Sequence, residues 1–407
     1  MTRAEAKRQM QLEGGLFCSR TSWQGRQAYA LGNDVVRLVT LTGGGHVAEF
    51  CFQEPSGRPT LNPLWVPPWT TIEPYRYRDK LHAQRYGAPI TGKLISGLVG
   101  HNLCLDYFGP PSDEEVKQGL SIHGEAPSAR WQKSSARATS EYAALELTVS
   151  LPVAGLRFGR DIKIRRGESV AYFNETVTNE RKADHLFHWT QHVTLGPPFL
   201  DPQQSIVAVS ATKGRTFPHG YEDKALLESS RDFRWPNAPG LEGGFVDLTR
   251  PFARPGLGFV ATVQLDPRRE VEFIAAVNTQ QSLLLGYCFS RRDFPWVAIW
   301  EENRARTDAP WSGRCQARGL EFGSTPFPVG RREAFASGPL FATPHFSVVP
   351  ARGRVTARYL SFLAQVPDKF GGVRDIRLRE GEIEVSGTAT KGILRLPASG
   401  LREAGFV

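Results

Sequence analysis

Apolar and polar residues alternate along most of this chain with a period of two, the repeat of a strand that buries one face. Asp34-Val-Val-Arg-Leu-Val-Thr-Leu41 shows it plainly, and Gln27–Leu31, His46–Phe52, residues 129–151 and 156–165, and Glu168–Thr178 read the same way. Further strands are expected near 205–210, 258–265, 271–277, 282–289, Trp296–Glu301, Ala317–Gly323, Phe346–Val349 and Arg354–Leu363. About fifteen strand signals against almost no 3.6-residue periodicity predict an all-β chain built as a large antiparallel sandwich.

The interruptions divide the chain. Gly43-Gly44-Gly45 reads as a hairpin turn, since neither Gly-Lys-Ser/Thr nor a helical pattern follows it as a phosphate loop would need. Residues 55–127 are irregular and rich in Pro, Gly and aromatics, and residues 213–257 are again loop-like. Loops of that length usually cover or serve a site. Residues 1–13 read as a helical or disordered tail, 14–366 as one large sandwich domain, and 367–407, after a break at Gly371-Gly372, as a C-terminal extension forming a hairpin.

Composition narrows the class. Of 407 residues, 40% are hydrophobic and 22% charged, and no apolar run approaches the roughly 18 residues of a membrane span. The polar, mixed-charge N-terminus lacks the apolar core of a secretory signal, so a cytoplasmic protein without a membrane partner is expected. Five scattered cysteines, Cys18, Cys51, Cys104, Cys288 and Cys315, suit reduced buried thiols better than a disulfide framework or a zinc knuckle. A net charge of +9 would permit nucleic acid or anionic small molecules as partners. The basic residues are dispersed among acids and no recognised nucleic-acid module is present, so a small molecule is the expected partner and nucleic acid is not.

The candidate chemistry begins with His185-Leu-Phe-His-Trp-Thr-Gln-His192, which carries three of the nine histidines. β-Branched and aromatic residues ending at Gly196-Pro197-Pro198 predict a strand running into a rigid loop. Strand parity then puts His188, Thr190 and His192 on one face, and Phe187, Trp189, Gln191 and Val193 on the other. As a helix, the same stretch would align His185, His188 and His192 as metal ligands; on a strand His185 points away, and Glu321 or His123 would have to complete a site. Each of these histidines could equally be a hydrogen-bonded core residue, and Glu321, between Leu320 and Phe322, could simply face solvent.

Three patterns occur in order: Leu120-Ser-Ile-His123-Gly124 with Trp131 downstream; Thr178-Asn179 followed by Gln191-His192; and Arg318-Gly-Leu-Glu321-Phe-Gly323. As an ordered set, spanning about residues 25–365, they resemble the galactose mutarotase-like superfamily of aldose 1-epimerases and uncharacterised relatives. The resemblance implies a β-supersandwich acting without cofactor or metal on the anomeric carbon of a sugar. Glu321 would be the general base, His192 the general acid, and His123 an assistant at the ring oxygen. Opening a pyranose needs such a pair: a base for the anomeric hydroxyl proton and an acid for the ring oxygen.

Sugar-binding residues are expected at His188, Arg78, His101, Trp300 and Glu301, with Arg76 and Arg85 as alternatives to Arg78, and Asp247 for a sugar hydroxyl. The sequence departs from the family where an Asn-His and an aromatic pair usually stand, reading Gln191-His192-Val-Thr. Two other readings remain open: a carbohydrate-binding protein that has lost catalysis, and a metal-dependent sugar isomerase or lyase on the same scaffold.

Overall fold

The structure, a computed structural model, describes residues 15–54, 59–389 and 392–407. The tail expected over 1–13 lies outside the described residues.

Two sheets face each other. Among the described residues the larger has thirteen strands; its central run is His101–Cys104, Thr190–Leu195, Gln316–Gly323, Trp296–Asn303 and Leu257–Leu265. The smaller has eight, with Leu283–Ser290, Arg354–Gln365, Val170–Asn179 and Leu156–Arg165 at its centre. Neighbouring strands in these runs are antiparallel. The period-two pattern explains the layering: Leu156–Arg165 turns Phe158 and Ile162 inward, to meet residues such as Leu38, Val193 and Phe322 of the large sheet.

The space between the sheets is not wholly apolar. Arg160 Nε lies 2.6 Å from Glu175 Oε1, and both side chains are fully buried. Glu175 also accepts from Tyr359 Oη at 2.8 Å, Gln191 Nε2 at 2.6 Å and Trp189 Nε1 at 3.2 Å. His101 Nε2 donates to Gln191 Oε1 at 2.9 Å. Filling both carboxylate oxygens is what makes a buried charge tolerable.

A second core lies on the outer face of the eight-stranded sheet, where Phe273, Val277, Leu360 and Phe362 meet Ile376, Ile383 and Val385. The latter belong to Val373–Arg379, Glu382–Gly387 and Ile393–Pro397, so the C-terminal extension is a three-stranded meander and not a two-stranded hairpin. The apolar residues left on that outer face explain why a third layer is needed.

Several expectations are corrected. Residues 213–257 contain the short strands Gly220–Asp223, Asp232–Arg234, Asn237–Pro239 and Phe245–Asp247, too brief and polar to show a period. Residues 55–127 hold the helices Asp79–Tyr86, Pro89–Ile95 and Asp113–Lys117, besides the central strand His101–Cys104. The histidine-rich stretch is two strands: His185–Phe187 pairs with Ser347–Val349 in a separate two-stranded sheet, and Thr190–Leu195 enters the large sheet. His188 and Trp189 form the break, so strand parity does not carry from His188 to His192.

Burial pushes the pKa of His46 and of His101 down from 6.5 to about 3, with Arg26 and Arg160, respectively, adding to it. Because each folded pKa lies below the unfolded one, their contribution to stability is complete above pH 6.5 and is lost as pH falls towards 3. His101→Gln is therefore expected to flatten the decline of unfolding free energy between pH 6 and 4.5 by about 1.4 kcal/mol per pH unit. Urea titrations at several pH values measure this; parallel declines for variant and wild type would show that His101 is not held neutral.

Candidate active site

Thr190–Leu195 lies between His101–Cys104 and Gln316–Gly323, in a register that places His192 directly opposite Glu321 on one side and Asn102 on the other. Gln191, Val193, Leu320 and Phe322 face the core, so His192 and Glu321 must project from the other face. Residues directly opposite in antiparallel strands have Cβ atoms about 5 Å apart, and here His192 Nε2 comes within 3.1 Å of Glu321 Oε1. His192 Nδ1 lies 3.0 Å from Thr194 Oγ1, two positions along on the same face. Gly319 makes room for the carboxylate: a Cβ there would lie 2.2 Å from Glu321 Oε1.

His123 arrives from a loop. Its φ of +70° is in the left-handed region, which costs a non-glycine residue about 1–3 kcal/mol. Gly124, at φ +84°, cannot be replaced without collision, because a Cβ would lie 2.2 Å from Leu105 O. The ring of His123 stacks on Phe108 at 5.6 Å and stands edge-on to His192 at 5.1 Å. Its Nδ1 is 2.6 Å from Phe108 O. A carbonyl only accepts, so Nδ1 carries the hydrogen and Nε2 of the neutral ring is an acceptor. Burial lowers the His123 pKa to about 4, and Arg306 adds to the effect.

Burial governs the central pair in opposite directions. It raises Glu321 well above 4.5 and drives His192 well below 6.5, with His123 adding to the latter. Burial therefore disfavours both charged forms and shifts the pair towards a carboxylic acid beside a neutral imidazole. Glu321 Oε1 has no hydrogen-bond partner among the described residues despite its closeness to His192. An incoming hydroxyl can complete it.

His192, Glu321, His123 and Trp300 line one cleft of about 510 Å³, together with Phe108, Trp311, Thr91, Lys224, Arg306 and Asp308. Trp300 Nε1 donates to Tyr221 Oη at 3.0 Å, and Tyr221 donates to Glu302 Oε2 at 2.7 Å. Glu302 Oε1 accepts from the backbone N–H of Ala305 at 2.5 Å and of Arg306 at 3.1 Å. One buried carboxylate therefore fixes both the aromatic wall and the start of the loop that carries Arg306 and Asp308.

The other expected residues lie elsewhere. His188 is buried behind Phe108, accepting from its N–H at 3.3 Å and standing edge-on to Phe335. His101 faces the core, because the residue of its strand that faces the cleft side is Asn102, opposite His192. Trp300 and Glu301 are strand neighbours and cannot share a face; Glu301 pairs with Arg318 at 3.1 Å, away from the cleft. Arg76, Arg78 and Arg85 are exposed and line no part of the cleft, and Asp247 caps Thr249. The three histidines proposed as a metal set diverge: His185 binds Asp106 at 2.8 Å, His188 meets Phe335, and His192 meets Glu321. Among the described residues, no three His, Cys, Asp or Glu side chains are grouped as metal ligands.

Sequence reasoning passed over Arg306, Asp308 and Trp311. The available signal was the polar and aromatic run 306–311 immediately after the Trp300 strand.

No protein-family model matches the chain, and no curated protein matches it. Solved structures do. A candidate aldose 1-epimerase from Klebsiella pneumoniae superposes with a TM-score of 0.59 at 14% identity, covering 84% of this chain and 81% of that one. A candidate mutarotase from Salmonella typhimurium gives 0.53 at 10% identity over 88% and 99%. A galactose mutarotase-like protein from Clostridium acetobutylicum gives 0.51 at 10% identity over 86% and 99%. The chain therefore has the galactose mutarotase-like β-supersandwich fold. Among the described residues no helix is long and apolar enough to cross a membrane.

Proposed function

We propose that this protein is an aldose 1-epimerase-like isomerase that interconverts the anomers of a sugar without a cofactor, and that His192 and Glu321 move the protons. The observation that carries this reading is the Nε2 to Oε1 distance of 3.1 Å at the floor of a cleft walled by Trp300 and Trp311. The fold it shares with candidate epimerases supports the reaction class.

Anomer exchange needs one acid and one base at the same moment. The anomeric hydroxyl gives its proton to the base while the ring oxygen takes one from the acid. The bond from C1 to the ring oxygen breaks and C1 becomes a carbonyl. Rotation about C1–C2 and reclosure give the other anomer. A pair that shares one proton serves in either sense. With the proton on His192, Glu321 is the base and His192 the acid; with the proton on Glu321, the roles are exchanged. The two arrangements differ only in which of two groups 3.1 Å apart carries the proton, and microscopic reversibility requires each role to be reversed in the return reaction. His123, neutral with Nε2 as acceptor, suits a sugar hydroxyl better than the ring oxygen, since burial opposes the imidazolium that the latter would need.

The test is anomer exchange followed by NMR or polarimetry on a panel of neutral, acidic and phosphorylated aldoses. Acceleration by wild type supports the proposal; saturable binding without acceleration would replace it with a carbohydrate-binding role. The pH profile should be broad. Activity falls on the acid side only when the pair gains a second proton, well below the ordinary 6.5 of histidine, and on the alkaline side only when it loses its one proton, well above the ordinary 4.5 of glutamate. A rate tracking a single ionisation near pH 6.5 would contradict the shared proton.

A further inference from the structure

The eight-stranded sheet carries a second concavity, of about 620 Å³, at its edge against the C-terminal segment Ala404–Phe406. None of its lining residues lines the cleft. Five arginines border it, Arg268, Arg269, Arg291, Arg292 and Arg358, against two acids, Glu270 and Asp293. Three of the arginines are spoken for: Arg268 by Asp266 at 2.7 Å, Arg269 by Asp375 at 2.7 Å and Arg292 by Asp293 at 3.1 Å.

The other two differ. Arg291 is anchored through Nε to Arg269 O at 3.2 Å, and Arg358 through Nε to Asn174 Oδ1 at 3.2 Å. Neither has a carboxylate within 4.0 Å among the described residues, and their terminal Nη groups make no hydrogen bond there. A guanidinium held by Nε has its planar fork oriented in advance, and that fork matches the spacing of two oxygens on one anion. Gly405 packs close to Arg358: it sits at φ +74°, and a Cβ there would stand 3.2 Å from Arg358 Nη1. The turn that holds Gly405 is tied down by Glu403, which pairs with both Lys163 and Arg165.

We infer that this groove is an oxyanion-binding site, separate from the cleft, in which Arg291 and Arg358 grip a phosphate or sulfate group. The group could be free or could be an ester substituent on a sugar; the recognising chemistry is the same, and charge-assisted bidentate bonds favour tetrahedral oxyanions over a diffuse surface attraction.

Calorimetric titration of the full chain with inorganic phosphate, and separately with glucose 6-phosphate, tests the site. Saturable binding of phosphate is expected, weakened at least tenfold in Arg291→Gln/Arg358→Gln and unchanged in His192→Ala. Tighter binding of glucose 6-phosphate that is also lost in the arginine double variant and kept in His192→Ala would identify an ester as the ligand; equal affinities would identify the free anion. Absence of saturable phosphate binding by wild type, or equal binding by the double variant, overturns the inference. Circular dichroism and thermal melts keep the comparison interpretable, and if the double variant is misfolded, the single Arg358→Lys variant decides: it keeps the charge but lacks the fork, so undiminished binding would also overturn it.

Discussion

Glu321→Gln is expected to reduce the rate of anomer exchange about 10²- to 10⁴-fold on any sugar that the wild type turns over, the range by which a positioned acid or base accelerates a reaction. The amide is isosteric with the carboxylic acid that burial favours at this position, so the fold and sugar binding should persist. What disappears is the proton: an amide can neither hold nor release one here. His192→Ala should cost a similar factor. On the proposed mechanism the two residues share one proton, so the double variant should be little slower than the worse single one, as for groups that act as a unit. Rates for wild type, both single variants and the double variant, measured by NMR saturation transfer on one aldose, form the cycle. If the two losses simply multiplied, His192 and Glu321 would be acting independently, and if neither variant lost rate the proposed chemistry would be wrong.

Arg160→Met is expected to destabilise the protein by about 3–5 kcal/mol, the usual effect of removing one partner of a buried ion pair. The guanidinium that neutralises Glu175 is fully buried, 2.6 Å from the carboxylate, and also donates to Gly45 O at 2.7 Å. Without it, Glu175 retains Tyr359, Gln191 and Trp189 as donors but no positive charge. The companion substitution Glu175→Leu, made in the Arg160→Met background, should recover a substantial part of the loss, because a buried pair replaced by apolar groups is often no less stable than the pair itself. Chemical denaturation of the wild type, the single variant and the double variant measures both effects. A loss below about 1 kcal/mol for Arg160→Met would mean that water reaches the site and screens the charge. The network also bears on the cleft: Gln191, which donates to Glu175, precedes His192 on the same strand, so the strand that presents His192 is fixed from its core side.

The sandwich itself was legible because its signal is local. Apolar alternation in stretches such as 145–151 and 156–165 records which face of a strand is buried, whatever that strand pairs with. The same rule marked Glu321 as facing away from Leu320 and Phe322, and His192 as facing away from Gln191 and Val193. It was less useful where elements are short. Asp232–Arg234 and Asn237–Pro239 have three residues each, too few for a period, and they gain their strand character from the sheet edge that they extend. It also failed across a break. Continuous parity joined His188 to His192, but the chain leaves one sheet and enters another between Phe187 and Thr190.

By itself the sequence determined an all-β chain, the inward and outward faces of its longer strands, and an ordered set of His123, His192 and Glu321. Local alternation and residue chemistry suffice for that. The tertiary structure decided which of these residues meet. The register that sets His192 opposite Glu321 joins strands far apart in the chain, and a slip of one residue would turn either side chain into the core. It also decided that His101 and Glu301 face away from the cleft, that His188 lies behind Phe108, and that Arg306 and Asp308 reach the cleft on a loop organised by Glu302. Non-local pairing makes these choices, and it leaves no periodic mark on the sequence.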